Sequence, residues 1–200
     1  MCGVSGYFFF NNKNNHLDSL KQLTNDIIHR GPDNIGFWSS QKDGIFLGHT
    51  RLSILDLTDK GNQPMKSLCG RYVITYNGEI YNHPELHKSL SNEWNFNSSS
   101  DTECILAAYD KYRDNCLEHF RGMFAFAIWD EKRKRLFCAR DRFGIKPFYY
   151  TIIDNIFYFA SEAKALLPFL PEIKTDETAL AEYLTFQYTI GEKTLFKDIY

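Results

Sequence analysis

Short apolar and aromatic runs, broken by polar turns, recur along the whole chain. Residues 3–10, 36–40, 44–50, 71–77, 122–130, 135–141, 148–153 and 156–160 each have the length and composition of a strand. Asp43-Gly44 marks a hairpin between the second and third of these runs, because Asp-Gly supports a tight turn. Asp154-Asn155 marks another, and the basic segment Lys132-Arg133-Lys134-Arg135 a third. Helical spacing is confined to fewer segments. Residues 18–29 place Leu20, Leu23, Ile27 and Ile28 on one face. Residues 84–90 begin with Pro84 in the first turn. Residues 101–112 follow a Ser-Ser-Ser-Asp start that can cap a helix. Residues 116–120 and 161–167 read as short helices, and 176–186 as a longer one capped by Thr175 or Asp176. Hairpin-linked strands with helices between the groups predict an α+β fold with antiparallel sheets, not a parallel βαβ sheet.

Composition narrows the picture. The chain has 200 residues, 44% hydrophobic and 16% aromatic, enough for one domain with a sizeable core. A net charge of −2 leaves no electrostatic footprint for nucleic acid, and the basic run at 132–135 reads as a solvated hairpin tip. The apolar stretch at 7–10 is too short for a signal segment, so no membrane association is expected. Five cysteines form no CxxC pair, which points to reduced thiols in the cytoplasm. Cys104, Cys116 and Cys138 read as small buried hydrophobes, and Cys69 lies in a loop without an assigned role. The Asn-rich stretch 11–15 and the Ser/Asn-rich stretch 95–100 read as exposed loops.

Candidate chemistry starts at Cys2. Removal of Met1, which a small second residue permits, would give this residue both a thiol and a free α-amine. The thiol is a strong nucleophile and the amine, with a pKa of about 7.7–8.0, a suitable base. Four further motifs carry polar groups in apolar surroundings. His29-Arg30-Gly31-Pro32-Asp33 reads as a helix end, which accounts for Gly31 and Pro32 but not for Arg30. Arg51, between apolar strand residues, suits a carboxylate clamp or a strand end reaching solvent. Asn77-Gly78 reads as a hairpin turn or as a pair of donors converging on one oxygen. Asp101 reads as a helix cap that can also accept from an ammonium. His83 and His87 lie four apart on a helix, but Glu85 is misplaced for HExxH and no third ligand follows, so no metal is expected.

CGVSGYF, HRGPD, GHTRLSILD, YNGEIYN, SSSDTE, GMFAFAIWD, RDRFGIKPFYY and FASEAKAL occur in that order. Together they resemble the glutaminase domain of class II glutamine amidotransferases, in the branch of glutamine-dependent asparagine synthetases. The resemblance covers nearly the whole chain. It implies a four-layer αββα sandwich of two antiparallel sheets, as in N-terminal-nucleophile hydrolases. It implies hydrolysis of L-glutamine to glutamate and ammonia through a thioester on Cys2. By the same resemblance, Arg51 holds the substrate carboxylate, Glu79 and Asp101 hold its ammonium, and Asn77 and Gly78 form the oxyanion hole. Leu52 and Ile54 line the pocket through backbone groups, and Arg30 helps to order it.

Residues 1–190 would form this domain, and 191–200 would begin a connection to a synthetase domain that is not in the chain. The ammonia would serve an ATP-dependent amidation there, of aspartate or another carboxylate. No cofactor is expected in the glutaminase part; ATP and Mg2+ are expected only for the synthetase. The resemblance leaves a homodimer open. A catalytically silent regulatory or interaction module of the same fold is the alternative.

Overall fold

The computed structural model describes residues 1–10, 17–54 and 58–200. In chain order the elements are β1 (Gly3–Phe9), α1 (Leu17–Asn25), β2 (Asn34–Ser40), β3 (Ile45–Arg51), β4 (Met65–Lys66) and β5 (Tyr72–Ile80). There follow α2 (His83–Leu90), α3 (Asp101–Tyr112), β6 (Gly122–Asp130), β7 (Arg135–Arg140), β8 (Tyr149–Ile153), β9 (Ile156–Ala160) and α4 (Glu177–Phe186). One sheet has the order β2-β3-β1-β9-β8 and the other β4-β5-β6-β7. Every strand pairing in both sheets is antiparallel.

Three apolar layers separate four layers of structure. Leu86, Leu90 and the buried side of α3 pack on Tyr72, Ile74, Phe124 and Phe126 of the second sheet. Leu23 and Ile27 pack on Tyr7 and Phe46 of the first, together with Ala165 and Leu166. Between the sheets lie Ile45, Leu47, Val73, Ala127, Trp129 and Phe159. The expected αββα sandwich is therefore the observed fold. It also explains why GMFAFAIWD is almost continuously apolar. In β6, Phe124, Phe126 and Ile128 face the helices, whereas Ala127 and Trp129 face the opposite sheet. An antiparallel strand with one wet face would have alternated.

The turn chemistry follows the residues. Gly44 takes the left-handed conformation at φ 66°, closing the β2–β3 hairpin after a 3-10 turn at Gln41–Asp43. Asp154 and Asn155 both have positive φ between β8 and β9, as a tight two-residue hairpin requires. Several expected boundaries move. The helix expected at 18–29 ends as α1 at Asn25 and resumes as a 3-10 turn at Ile28–Arg30. The short helices expected at 116–120 and 161–167 are 3-10 segments instead, at Arg113–His119, Ala163–Ala165 and Leu167–Phe169. Pro168 supplies no backbone N–H there, and such short segments lack a face long enough to support an α-helix. Asp176 caps α4, its side chain accepting from Ala179 N at 2.9 Å. The loop expected at 11–15 lies outside the described residues.

The basic tip is ion-paired, with Lys134 bridging Glu131 and Asp43. Residues at the C-terminal end also pack on the domain. Tyr200 exchanges two backbone hydrogen bonds with Tyr150 of β8, at 2.8 and 2.9 Å, and Ile199 is buried. No helix among the described residues is long and apolar enough to cross a membrane.

Trp129 is fully buried between the sheets and its Nε1 donates to Glu131 at 2.9 Å. Trp129→Ala removes the largest side chain of that layer and is expected to cost about 3–5 kcal/mol of stability. Urea unfolding followed by circular dichroism measures it.

Candidate active site

Strand register brings the site together. Gly3 of β1 pairs with Thr50 of β3, so Cys2 stands opposite the end of β3, where Arg51 lies. The Cys2 Sγ lies 3.4 Å from Leu52 N, which donates to it, and 3.5 Å from Leu52 O. The second sheet meets this corner through two bonds: Thr75 Oγ1 donates to Gly48 O at 2.9 Å, and His49 Nε2 donates to Tyr76 O at 3.0 Å. The C-terminal half of β5 is thereby drawn towards Cys2. The N-terminus of α3 arrives from the other side, where Asp101 Oδ2 accepts from Tyr76 Oη at 2.6 Å and from Ile80 N at 3.0 Å.

The result is a cleft lined by Cys2, Arg51, Leu52, Gly78, Glu79 and Asp101. Ile54, Gly61, Gln63, Tyr76, Ser100 and Thr102 complete its wall. All the carried-over residues except Arg30 and Asn77 line this cleft directly. Arg30 sits behind it, its Nε donating to Cys2 O at 2.9 Å. Asn77 is buried and its Nδ2 has no hydrogen-bond partner in the structure.

The hairpin-turn reading of Asn77-Gly78 is corrected: both residues lie inside β5, opposite Ala125 and Phe124. Neither has the positive φ that the turn would need. Gly78 is required for closeness rather than for turning. A Cβ there would come within 2.3 Å of Met123 O and 2.7 Å of the Tyr76 ring.

The hydrogen-bond parity of β5 explains how Gly78 can serve a ligand. Phe124 directs both its N–H and its carbonyl to Asp141, away from β5. Gly78 opposite it must then direct its own polar groups to the outer edge of β5. Strand β4 covers that edge only at Val73 and Ile74. Further along, Tyr76 N donates to Gln63 Oε1 at 2.7 Å and Ile80 N to Asp101 Oδ2. The Gly78 N–H lies between these two occupied donors and faces the cleft. Sequence reading missed Gln63 and Tyr76. The outward N–H of Tyr76 follows from strand parity once β5 is known to run through Gly78, whereas nothing in the sequence marks Gln63.

The electrostatics divide into raised and lowered groups. Burial pushes the Cys2 thiol above its ordinary value, against the pull of Leu52 N–H, the N-terminal ammonium and the Arg51 guanidinium. Burial also raises Asp101, although Tyr76 and the Ile80 N–H stabilise its charge. His49 is fully buried and pushed down to about 4, so its ring is neutral with the proton on Nε2. The buried Arg51 guanidinium is held by Thr58 O at 3.0 Å and by Asn62 Oδ1 at 2.7 Å. Glu79 is half-buried at the wall.

HRGPD buttresses the same corner. Asp33 N donates to Arg51 O, Asp33 Oδ2 accepts from Ser53 N at 2.7 Å, and Pro32 bridges to Arg51. The helical histidines have structural partners: His83 Nδ1 bonds to Ile80 O at 3.0 Å and His87 stacks on Phe96 at 3.9 Å. No group of three metal-ligating side chains occurs among the described residues.

The chain belongs to the glutamine amidotransferase domain family, whose model matches residues 1–200. It is 42% identical over 98% of its length to asparagine synthetase [glutamine-hydrolyzing] 1 of Bacillus subtilis, of which it covers 31%. It is 38% identical over 96% of its length to a putative asparagine synthetase [glutamine-hydrolyzing] 2 of Methanocaldococcus jannaschii, of which it covers 39%. The chain thus spans about a third of the length of such relatives. Among solved structures, glutamine phosphoribosylpyrophosphate amidotransferase from B. subtilis shares the fold with a TM-score of 0.70. The identity there is 20%, over 82% of this chain and 43% of that one.

With Met1 in place, a thiol raised by burial stays protonated at neutral pH. Alkylation of Cys2 by iodoacetamide is expected to stay slow through neutral pH and to rise only above the free-cysteine midpoint of about 8.5. Mass analysis of the N-terminal peptide across a pH series measures it.

Proposed function

We propose that this domain hydrolyses L-glutamine to glutamate and ammonia, with Cys2 as nucleophile and its own α-amine, freed by loss of Met1, as base. The observation that carries the reading is the convergence of Cys2, the outward Gly78 N–H, Arg51, Glu79 and Asp101 on one cleft. Free glutamine is a zwitterion with a carboxamide at its far end. It needs a cation, a carboxylate and an anion trap beside a nucleophile, and these residues supply that set.

In this reading the Arg51 guanidinium holds the substrate carboxylate, and Glu79 with Asp101 holds its ammonium. The thiol proton passes to the α-amine as sulfur attacks the carboxamide carbon. The tetrahedral oxyanion rests on Gly78 N–H and on Asn77 Nδ2, a buried donor without a partner in the structure. One such donor is worth about 10²–10³ in rate. The protonated amine then delivers its proton to departing ammonia, and water hydrolyses the γ-glutamyl thioester. Leu52 fixes the sulfur through its N–H, while Ile54 closes the rim.

The longer relatives suggest the destination of the ammonia: an ATP-activated carboxylate in a synthetase portion, aspartate or another acid. ATP and Mg2+ belong to that step, and the glutaminase chemistry itself calls for no cofactor. The working site would be the cytoplasm.

Cys2→Ala is expected to abolish glutamine hydrolysis and labelling by diazo-oxo-norleucine while leaving the circular dichroism spectrum unchanged; retained hydrolysis rejects the mechanism. Arg51→Ala is expected to raise KM for glutamine far more than it lowers kcat, as loss of a charge-assisted clamp worth about 1.5–3 kcal/mol predicts. Steady-state kinetics decide it, and an unchanged KM removes Arg51 from the pocket.

A further inference from the structure

Ser161 and Glu162, at the start of the SEAKAL segment, take no part in the chemistry above, yet both hold the nucleophile's end of β1. Ser161 grips Val4 at both polar atoms: its Oγ accepts from Val4 N at 2.9 Å, and its N donates to Val4 O at 2.9 Å. Glu162 acts one residue further out. Its Oε1 accepts from Arg30 Nη1 at 3.1 Å and from His29 Nε2 at 2.7 Å, while its Oε2 lies 3.2 Å from Lys164 Nζ. Arg30 Nε in turn donates to the carbonyl of Cys2.

A line of polar contacts therefore runs from Glu162 through Arg30 to the backbone of Cys2. It matters because Cys2 lies outside the strand ladder, whose register on β3 begins at Gly3. Its carbonyl is held by a guanidinium instead of a neighbouring strand.

That guanidinium is costly to misplace. The Arg30 side chain is only 8% exposed, and its Nη2 is buried without a hydrogen-bond partner. Removing the carboxylate would leave a buried cation uncompensated, which drives the side chain towards water. Burial works to raise the Glu162 carboxyl, but Arg30, His29 and Lys164 hold it below its ordinary value, so it is charged in the working range. If Arg30 swings out, the Cys2 carbonyl loses its anchor and the sulfur loses its place beside Leu52. A displacement of about 1 Å at a reacting atom can cost about 10²-fold in rate.

We infer that Glu162 is a positioning residue for the Cys2 nucleophile, acting through Arg30, with Ser161 holding the strand on which Cys2 is mounted. The inference deepens the proposed glutaminase reading and rests on it for its kinetic consequence.

The test compares Glu162→Ala, Glu162→Asp, Arg30→Ala and the double variant Arg30→Ala/Glu162→Ala with the unaltered protein. For glutamine hydrolysis, Glu162→Ala is expected to lower kcat by about 10–100-fold with KM held within about twofold, because the nucleophile moves and the substrate clamp does not. Glu162→Asp should recover part of the rate. The double variant should be no slower than Arg30→Ala, since two residues on one line of contacts do not add. Hydrogen exchange gives a readout independent of activity. The N-terminal peptide should exchange faster in Glu162→Ala and Arg30→Ala, while a peptide covering β6 stays protected. Unchanged kcat in Glu162→Ala, fully additive losses, or unchanged exchange at the N-terminus would each overturn the inference. If the unaltered protein releases no glutamate, the glutaminase reading fails, and the exchange measurement alone decides whether Glu162 anchors Cys2.

Discussion

The pairing of β1 with β3 on one side and β9 on the other is the constraint on which the site depends. Gly3 lies against Thr50 and Ser5 against Ala160, so the strand cannot slide without breaking two ladders. A slip of one residue would also carry Tyr7 and Phe9 from the helix side of the sheet to the side that faces the other sheet. Gly6 makes this fit possible, because a Cβ there would come within 2.5 Å of both Phe46 O and the Phe159 ring. Cys2 is thus placed by a strand held between two neighbours, and side chains secure only the end of that strand, Ser161 at Val4 and Arg30 at the Cys2 carbonyl.

The second sheet contributes through what it leaves unpaired. Strand β5 has one complete neighbour in β6 and one brief neighbour in β4. Its outer edge is therefore available to side chains and to a ligand. Gln63 and Asp101 occupy two outward N–H groups, and Gly78 keeps a third for the cleft. Tight hydrogen bonding on both sides of the gap is what makes the remaining donor well oriented. The same geometry explains the Tyr76–Asp101 bond. It fixes a carboxylate at the start of α3, where the helix end favours negative charge.

Much of this was legible in the chain. Strands β6 and β9 match their expected limits, as does α3, because each is bounded by clear turn or cap residues. The resemblance placed Cys2, Arg51, Glu79 and Asp101 in one pocket, and the structure brings all four to the same cleft. What was not legible has a common cause. Asn77-Gly78 looks like a turn locally, and only packing against Met123 and Phe124 shows that a glycine is needed mid-strand. Gln63 and the Arg30–Glu162 contact join residues far apart in sequence, and no periodicity marks such partners. Short segments such as Arg113–His119 fell between helix types because propensity does not separate 3-10 from α-helical turns.

Gly31 has a mechanical meaning beyond its place at a helix end. A Cβ on it would press within 2.4 Å of the Thr50 carbonyl and 2.5 Å of the Arg51 carbon. On one side of this contact Arg30 reaches the Cys2 carbonyl; on the other, Asp33 braces the strand that carries Arg51. The glycine is the thinnest possible spacer between two arms of the site. Thickening it by a single methyl would push those arms apart together, so that Cys2 and the Arg51 guanidinium would shift through one shared wedge.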